Sequence, residues 1–301
     1  MYKRVIIPVD GSSFSEQAIP YARAIAQRAG ARLTVVLVHS PLVWHSAAMA
    51  PMPLLQDWEG RHRQREAAYL DERAGELAAQ GIVTEAERLE GEVAHRLIER
   101  AKSDADLLVM ATHGRAGLER AWLGSVADEV VHHVKLPVLM IRPQTEGDRQ
   151  ADVRFRHLLI ATDGSRAAAA AVQQAVQVAR LFKARLTLLR VVAVPAGLSS
   201  PYIPHAASMD RKITEERKEE AEAFLEQLAA QLDVGTELKT RVVQAYHPAR
   251  GILDAIAELG CDLVSVGTHR RTRLARIVLG SVADKVVRAA EVPVLIAHAN
   301  A

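Results

Sequence analysis

An internal repeat is the feature that most constrains the fold of this 301-residue chain. Residues 3–39 align without a gap on residues 156–192, and residues 112–131 align on residues 268–287. The second pair of blocks reads THGRAGLERAWLGSVADEVV and THRRTRLARIVLGSVADKVV. Because the first and last blocks of the repeat both match, each half is a complete unit of ordinary domain size. The predicted domains are residues 1–145 and 153–301.

Within each half, short apolar runs alternate with amphipathic segments. Residues 5–9 are an apolar run that ends in Asp-Gly-Ser, as expected of a strand buried on both faces. Ala18, Ala22 and Ile25 follow at helical spacing. Five strands alternating with four helices predict an α/β fold in each half, with a five-stranded parallel sheet and right-handed crossovers. The other predicted strands are residues 33–38, 83–89, 107–111 and 137–141, with counterparts at 186–192, 237–243, 263–267 and 293–297.

A Pro-rich segment follows the second predicted strand of each half, at residues 41–53 and 195–204, and predicts a loop. Charged helices are expected after these loops, at residues 59–80 and 210–232. The first loop and its surroundings carry Trp44, Met49, Met52 and Trp58. These side chains are compatible with a lid, with an interface, or with an ordinary mobile loop.

Composition excludes several classes of protein. A net charge of +2 and an aromatic content of 4% provide neither a concentrated basic surface nor many aromatic rings on which bases could stack, which argues against nucleic-acid binding. No apolar run approaches the roughly 20 residues that a membrane span needs. Cys261 is the single cysteine, fits a reducing compartment, and is expected to be a small buried side chain. We therefore expect a soluble cytoplasmic protein.

The first candidate site motif is Asp10-Gly11-Ser12, repeated as Asp163-Gly164-Ser165. It directly follows a buried strand, at the edge of a parallel sheet where ligands bind. A carboxylate in this place is suited to accept a hydrogen bond from a ligand amine. An Asx turn or a helix cap explains the same residues equally well.

The second motif is Ala111-Thr-His-Gly114, then nine residues, then Gly124-Ser125. In the second half it is Gly267-Thr-His-Arg270, then nine residues, then Gly280-Ser281. Ser125 and Asp128 have the form of a capping box, which would explain the serine but not the glycine before it. A glycine before a helix lets the backbone approach a ligand, and the free N–H groups there favour phosphate.

Taken together, these motifs resemble the universal stress protein family, and the resemblance covers nearly the whole chain twice. It implies Rossmann-like domains of the adenine nucleotide alpha hydrolase type, arranged as a pseudo-dimer through residues 138–141 and 294–297. It also implies a site for ATP or another adenine nucleotide, with or without Mg²⁺. The residues that the resemblance assigns to this site in the first half are Asp10, Val38, Ala111, His113, Gly114, Gly124, Ser125 and Val126. In the second half they are Asp163, Val191, Gly267, His269, Arg270, Gly280, Ser281 and Val282.

Both halves depart from the family's Gly-x-x-Gly pattern. Ala111 replaces the first glycine in the first half, which adds one methyl group. Arg270 replaces the second glycine in the second half, and Arg273 stands nearby. An arginine there either fills the phosphate space, adds strain of about 1 kcal/mol if φ must be positive, or pairs with phosphate. We therefore expect the first site to bind ATP and the second to bind it more weakly.

The leading functional hypothesis is an ATP-binding signalling or stress-survival protein with little or no catalytic turnover. The sequence lacks the phosphate loop of P-loop NTPases and the GxGxxG dinucleotide motif. His113 and His269 are interpreted as orienting or ligand-contacting groups, not as catalytic residues. The rival hypothesis is a dimerisation scaffold of the same fold that has lost its nucleotide. The expected partners are a homo-oligomer, another protein, or both.

Overall fold

The structure is a computed structural model. It describes residues 1–41, 52–112, 123–143, 152–194, 206–270 and 277–298, with only the backbone described at 52–56, 206–211, 269–270 and 277–278. The chain divides into two compact units, the first running to Arg154 and the second beginning at Phe155.

The first unit is a parallel α/β sheet with strand order β3-β2-β1-β4-β5. Its core strand β1 is enclosed by neighbours on both sides, and Val5, Ile6 and Ile7 are fully buried. The strands are β1 (Arg4–Val9), β2 (Arg32–His39), β3 (Thr84–Glu90), β4 (Leu107–Ala111) and β5 (Val138–Ile141). The helices are α1 (Ser13–Glu16), α2 (Ile19–Ala29), α3 (Met52–Ala79), α4 (Val93–Asp104) and α5 (Ser125–His133).

The second unit repeats this topology with strand order β8-β7-β6-β9-β11, and its paired strands are again parallel. The predicted α/β fold class is therefore confirmed for both halves. The strands are β6 (His157–Ala161), β7 (Arg185–Ala193), β8 (Leu238–Ala245), β9 (Leu263–Arg270), β10 (Ile277–Val278) and β11 (Val294–His298). The helices are α6 (Arg166–Phe182), α7 (Ala206–Gln231), α8 (Pro248–Leu259) and α9 (Ser281–Ala289).

The first helical region differs between the two units. The helix predicted through Ala22 and Ile25 is present as α2, which begins at Ile19, but a further short helix, α1, precedes it and ends at Glu16. Pro20 lies in the first turn of α2, where its missing N–H is tolerated. Inside one continuous helix, its ring would clash with the carbonyl group four residues earlier, so the helix is interrupted before it. The second unit has no proline here, and α6 runs unbroken for 17 residues.

The charged helix after the first Pro-rich segment begins earlier than predicted. Met52 and Trp58 are in α3, whereas the sequence predicts a loop at residues 41–53 and a helix from residue 59. The side chain of Trp58 is 43% exposed. Trp44 and Met49 lie outside the described residues.

In each unit, a carboxylate just before the fourth strand binds the start of the first strand. Asp106 Oδ2 accepts hydrogen bonds from the backbone N–H groups of Lys3 (2.9 Å) and Arg4 (3.0 Å). Asp262 accepts the equivalent bonds from Arg156 (2.7 Å) and His157 (3.1 Å). Burial raises the pKa of Asp106, but the bonds from Arg4 and Lys3 outweigh it and hold that pKa below its usual value. The same device thus fixes the strand order in both halves.

His157 makes the stability of the second unit depend on pH. It is buried, with Nε2 2.8 Å from Thr187 Oγ1 and Nδ1 3.1 Å from the Leu259 carbonyl oxygen. Burial, followed by the charge of Arg185, lowers the pKa of His157. Below about pH 6.5 the unfolded chain therefore binds a proton that the folded chain does not.

We expect the free energy of unfolding to fall as the pH drops from 7.5 to 5.5, by at most about 1.4 kcal/mol per pH unit from this residue. Urea unfolding at several pH values measures the slope. His157→Gln keeps a polar amide and should flatten the slope, whereas the exposed His95→Gln should leave it unchanged. Equal slopes in all three proteins would contradict the prediction.

Two further observations concern the described residues. None of their helices is long and apolar enough to cross a membrane. Cys261 is buried as expected, and burial raises the pKa of its thiol to about 12. A thiol that stays protonated is unreactive, so the packing role predicted for Cys261 is supported.

Candidate functional site

A cavity of about 320 Å³ opens in the first unit at the carboxyl ends of the central strands β1 and β4. Strand order reverses between these two strands, which is the place where ligands bind in open α/β sheets. The volume lies at the lower end of the range for small-molecule sites. The predicted site residues that line the cavity are Asp10, Val38, Ala111, Gly124, Ser125 and Val126.

The walls of the cavity combine apolar and polar groups. Val9, Val38, Leu97 and Met110 supply apolar surface. Such walls suit a flat apolar ring, and polar groups in the lining can fix the orientation of a ligand. The polar lining comes from Asp10, Ser15, Ser40, His62, Glu66, Thr112 and the start of α5.

Asp10 forms an Asx turn, as one of the two sequence interpretations proposed. Its Oδ1 accepts hydrogen bonds from Ser12 N (2.9 Å) and Ser12 Oγ (2.6 Å). Gly11 has φ +78°, a left-handed conformation that favours glycine. Ser12 in turn caps α1 by accepting from Ser15 N. The turn therefore has its own structural reason, and it also places Asp10 in the cavity wall.

The start of α5 forms another part of the wall. The predicted capping box is wrong, because the N-cap is Gly124 and Ser125 is the first helical residue, with no side-chain cap hydrogen bond. Glycine and serine are both good N-caps, so the sequence pattern alone could not separate them. The first intrahelical bond runs from Asp128 N to the Gly124 carbonyl oxygen, at 2.9 Å. The N–H groups of Ser125, Val126 and Ala127 precede that bond and are placed to bind an anion.

The corresponding α9 begins in the same way in the second unit. Gly280 is its N-cap with φ −58°, and Ser281 is the first helical residue. A Cβ atom at position 280 would have no described atom within 4 Å. Neither backbone strain nor packing against the described residues therefore requires this glycine, and its role as the helix N-cap accounts for it. Ser281 is exposed and Val282 is half-buried.

Gly267 has a packing role that differs from its predicted ligand role. A Cβ atom there would lie 2.0 Å from the Ala167 carbonyl oxygen and 2.7 Å from Ala168 N. The first turn of α6 therefore lies directly against β9 at this position. The equivalent residue in the first unit, Ala111, carries a methyl group and lines the cavity.

The Asp163 turn of the second unit is covered by an aromatic ring. Asp163 Oδ1 accepts from Ser165 N at 2.9 Å, and Gly164 has φ +84°, as in the first unit. A Cβ atom on Gly164 would lie 3.3 Å from the ring of Phe224. The guanidinium of Arg190 lies over the ring of Phe224, 4.7 Å from its centroid. The ring thus occupies space beside the turn on which the second site was predicted.

The remaining predicted residues are placed as follows. Val191 is in β7 and packs on α8, where its Cγ1 lies 3.0 Å from the Cβ position of Gly251. His269 and Arg270 extend β9 beyond its predicted end at residue 267, so their backbone is extended and carries no left-handed strain. Their side chains, together with His113, Gly114 and Arg273, lie outside the described residues.

Sequence reasoning missed three residues of the first site: His39, His62 and Glu66. His62 and Glu66 line the cavity, and His39 lies behind them at the end of β2. The spacing of His62 and Glu66, one helical turn apart on α3, was a usable signal. Their meeting with His39 depends on how α3 packs on β2, which no local pattern reveals.

The fold and the cavity define the chain as a tandem α/β protein with a cavity at the switch point of its first unit. The sequence profile of the universal stress protein family matches residues 1–142 and 154–298. The chain therefore belongs to the universal stress protein family, and the predicted resemblance is confirmed.

Some universal stress proteins match this chain over both of its halves, and others match only one half. A universal stress protein of Mycolicibacterium smegmatis is 29% identical over 300 residues, covering 97% of this chain and 96% of the relative. Universal stress protein MJ0531 of Methanocaldococcus jannaschii is 34% identical over 148 residues, covering 47% of this chain and 83% of the relative. The crystal structure of a universal stress protein from Archaeoglobus fulgidus superposes with a TM-score of 0.70 at 20% identity, covering 99% and 98% of the two chains. That likeness supports the fold.

Proposed function

We propose that the first unit binds an adenine nucleotide in the cavity at the ends of β1 and β4, and that the protein acts in stress signalling or survival. The observation that carries the proposal is the convergence of six predicted site residues on this one cavity. Apolar walls offer a place for the base, and the start of α5 offers N–H groups for the phosphates. The groups present therefore fit a nucleotide.

We propose little or no turnover for this site. Asp10 is the acidic group closest in sequence to the end of β1, and its Oδ1 is engaged by Ser12 within the turn. A general base needs a carboxylate that reaches the proton it removes, whereas this oxygen already accepts two local hydrogen bonds. Mg²⁺ accompanying the nucleotide remains a prediction of the family resemblance, as do self-association, a protein partner and a cytoplasmic location.

For the second unit the same fold favours a structural role. Phe224 lies against Gly164, and the backbone of α6 lies against Gly267. Both contacts occupy space beside residues that the family resemblance assigns to a nucleotide. On sequence grounds, a nucleotide-free scaffold is the rival hypothesis for the whole chain. We propose that role for the second unit alone.

The test is the stoichiometry of nucleotide. Denaturation of freshly purified protein and mass spectrometry of the released small molecules should give about one adenine nucleotide per chain at most, and calorimetric titration of emptied protein with ATP should saturate at one. Two equal sites per chain would contradict the structural role of the second unit. Absence of binding in both measurements would contradict the nucleotide proposal and leave the scaffold.

A further inference from the structure

Two histidines and a glutamate form a compact cluster in the wall of the cavity. His39 ends β2, and His62 and Glu66 lie one turn apart on α3. Glu66 Oε2 lies 2.6 Å from His39 Nδ1, and Glu66 Oε1 lies 3.0 Å from His62 Nε2. One donor atom of each residue lies within 4.8 Å of the donor atoms of the other two.

The burial of this cluster requires a partner for its charge. The side chains of His39 and Glu66 are 1% and 6% exposed, and a buried carboxylate is costly unless it is paired. The second ring nitrogen of His39, Nε2, contacts the carboxylate of Glu59. Both nitrogens can donate to carboxylates only if both carry protons. A cation bound between His39 Nδ1 and Glu66 would replace one of these protons.

We propose that His39 Nδ1, His62 Nε2 and Glu66 bind a divalent transition-metal ion of the zinc class. Two imidazole nitrogens and one carboxylate are the ligand set of zinc sites that keep an open coordination position. Hard ions such as Mg²⁺ and Ca²⁺ prefer oxygen ligands, so this set selects against them.

Glu59 completes the arrangement as an outer carboxylate. In metal sites the ligating histidine usually donates its other N–H to a carboxylate, which fixes the ring orientation. Glu59 meets Nε2 of His39 on the side opposite Glu66.

The open coordination position faces the cavity. His62 and Glu66 both contribute to the cavity lining, whereas His39 lies behind them. The side chain of His62 is 28% exposed, which gives an ion a path from solvent. A bound ion would thus add a positive charge to the wall of the cavity, and it does so whether or not a nucleotide binds there.

The test uses the full chain, freed of metal with a chelator and titrated with Co²⁺ as a spectroscopic substitute for Zn²⁺. We expect one Co²⁺ per chain, with visible absorption bands and no thiolate charge-transfer band. Trp58 stacks on His62 with ring centroids 4.8 Å apart, so its fluorescence should fall as Co²⁺ binds. Added Zn²⁺ should displace the Co²⁺ and abolish the bands.

Variants separate metal ligation from folding. His62→Gln removes a partly exposed ligand and should weaken Co²⁺ binding by at least about tenfold, since even outer-shell changes cost that much. The matched control is His95→Gln. His95 and Glu99 form the same one-turn pair on α4, at 3.4 Å, and the described part of the chain brings no third ligand to them. Circular dichroism reports whether each variant is folded. No Co²⁺ binding by the wild type, or equal binding by folded His62→Gln, would overturn the proposal without affecting the nucleotide titration.

Discussion

Replacing Ser125 by Asp is expected to weaken nucleotide binding by about a hundredfold to a thousandfold while the protein stays folded. The new carboxylate would lie at the first position of α5, beside the N–H groups proposed to bind phosphate. Two unit charges 4 Å apart near a protein surface repel by about 4 kcal/mol, and each 1.4 kcal/mol is a factor of ten in affinity. The same carboxylate should stabilise α5 by about 0.3–1 kcal/mol, because a negative charge at a helix N-terminus interacts favourably with the helix dipole.

The matched control for this prediction is Ser281→Asp, which makes the same change at the first position of α9. It should leave ATP binding unchanged, because the second unit is proposed to bind no nucleotide. Calorimetric titration of both variants measures the difference. If the two variants lost affinity equally, or if Ser125→Asp bound as the wild type does, the assignment of the phosphate end of the site would be wrong.

Gly267→Ala is expected to destabilise the second unit by about 3 kcal/mol or more. The new methyl carbon would have to share space with the Ala167 carbonyl oxygen, 2.0 Å away, and the contact atoms are backbone. Overpacking a tight site usually costs about 1–3 kcal/mol, and a backbone clash belongs at the upper end. The helix α6 must move from β9 to relieve it.

Spectroscopy can assign this loss to one unit. All three tryptophans, Trp44, Trp58 and Trp122, belong to the first half of the sequence. In urea, Gly267→Ala should shift a transition seen by far-ultraviolet circular dichroism and leave the tryptophan fluorescence transition in place. Gly75→Ala, in α3 with no described atom within 4 Å, should instead stabilise by about 0.5–1 kcal/mol. A Gly267→Ala protein as stable as the wild type would show that α6 packs less closely than described.

The fold was predictable because its signals are local and occur twice. Buried parallel strands are continuous apolar runs, and the predicted fourth strand of the first unit matches β4 to the residue. The position of the cavity in the first unit follows the same logic, since Asp10 directly follows β1 and Ala111 ends the neighbouring parallel strand β4. Chain direction alone brings such residues to one edge of a sheet.

The motifs predict that the two halves differ, but not the packing contacts that distinguish them. In the sequence, Gly267 matches the first glycine of the family's Gly-x-x-Gly pattern. In space, it lies against the backbone of Ala167, 100 residues earlier in the chain. The contact of Phe224 with Gly164 likewise depends on how α7 packs on its sheet. Pro20 was visible in the sequence, and its effect on the first helix could have been anticipated from its missing N–H.

The order of the strands also sets when each half can fold during synthesis. Strand β1 pairs with β4 through Val5 and Leu107, and β6 pairs with β9 through Leu158 and Leu263. The central strand pair of each sheet therefore cannot form until a segment roughly 100 residues downstream has been synthesised, which takes a ribosome about 5–20 s. During that interval one edge of an apolar strand is open to chaperones and to aggregation. Since β5 ends at Ile141 and β6 begins at His157, the first unit has all its strands before the second begins, and the two vulnerable periods follow one another.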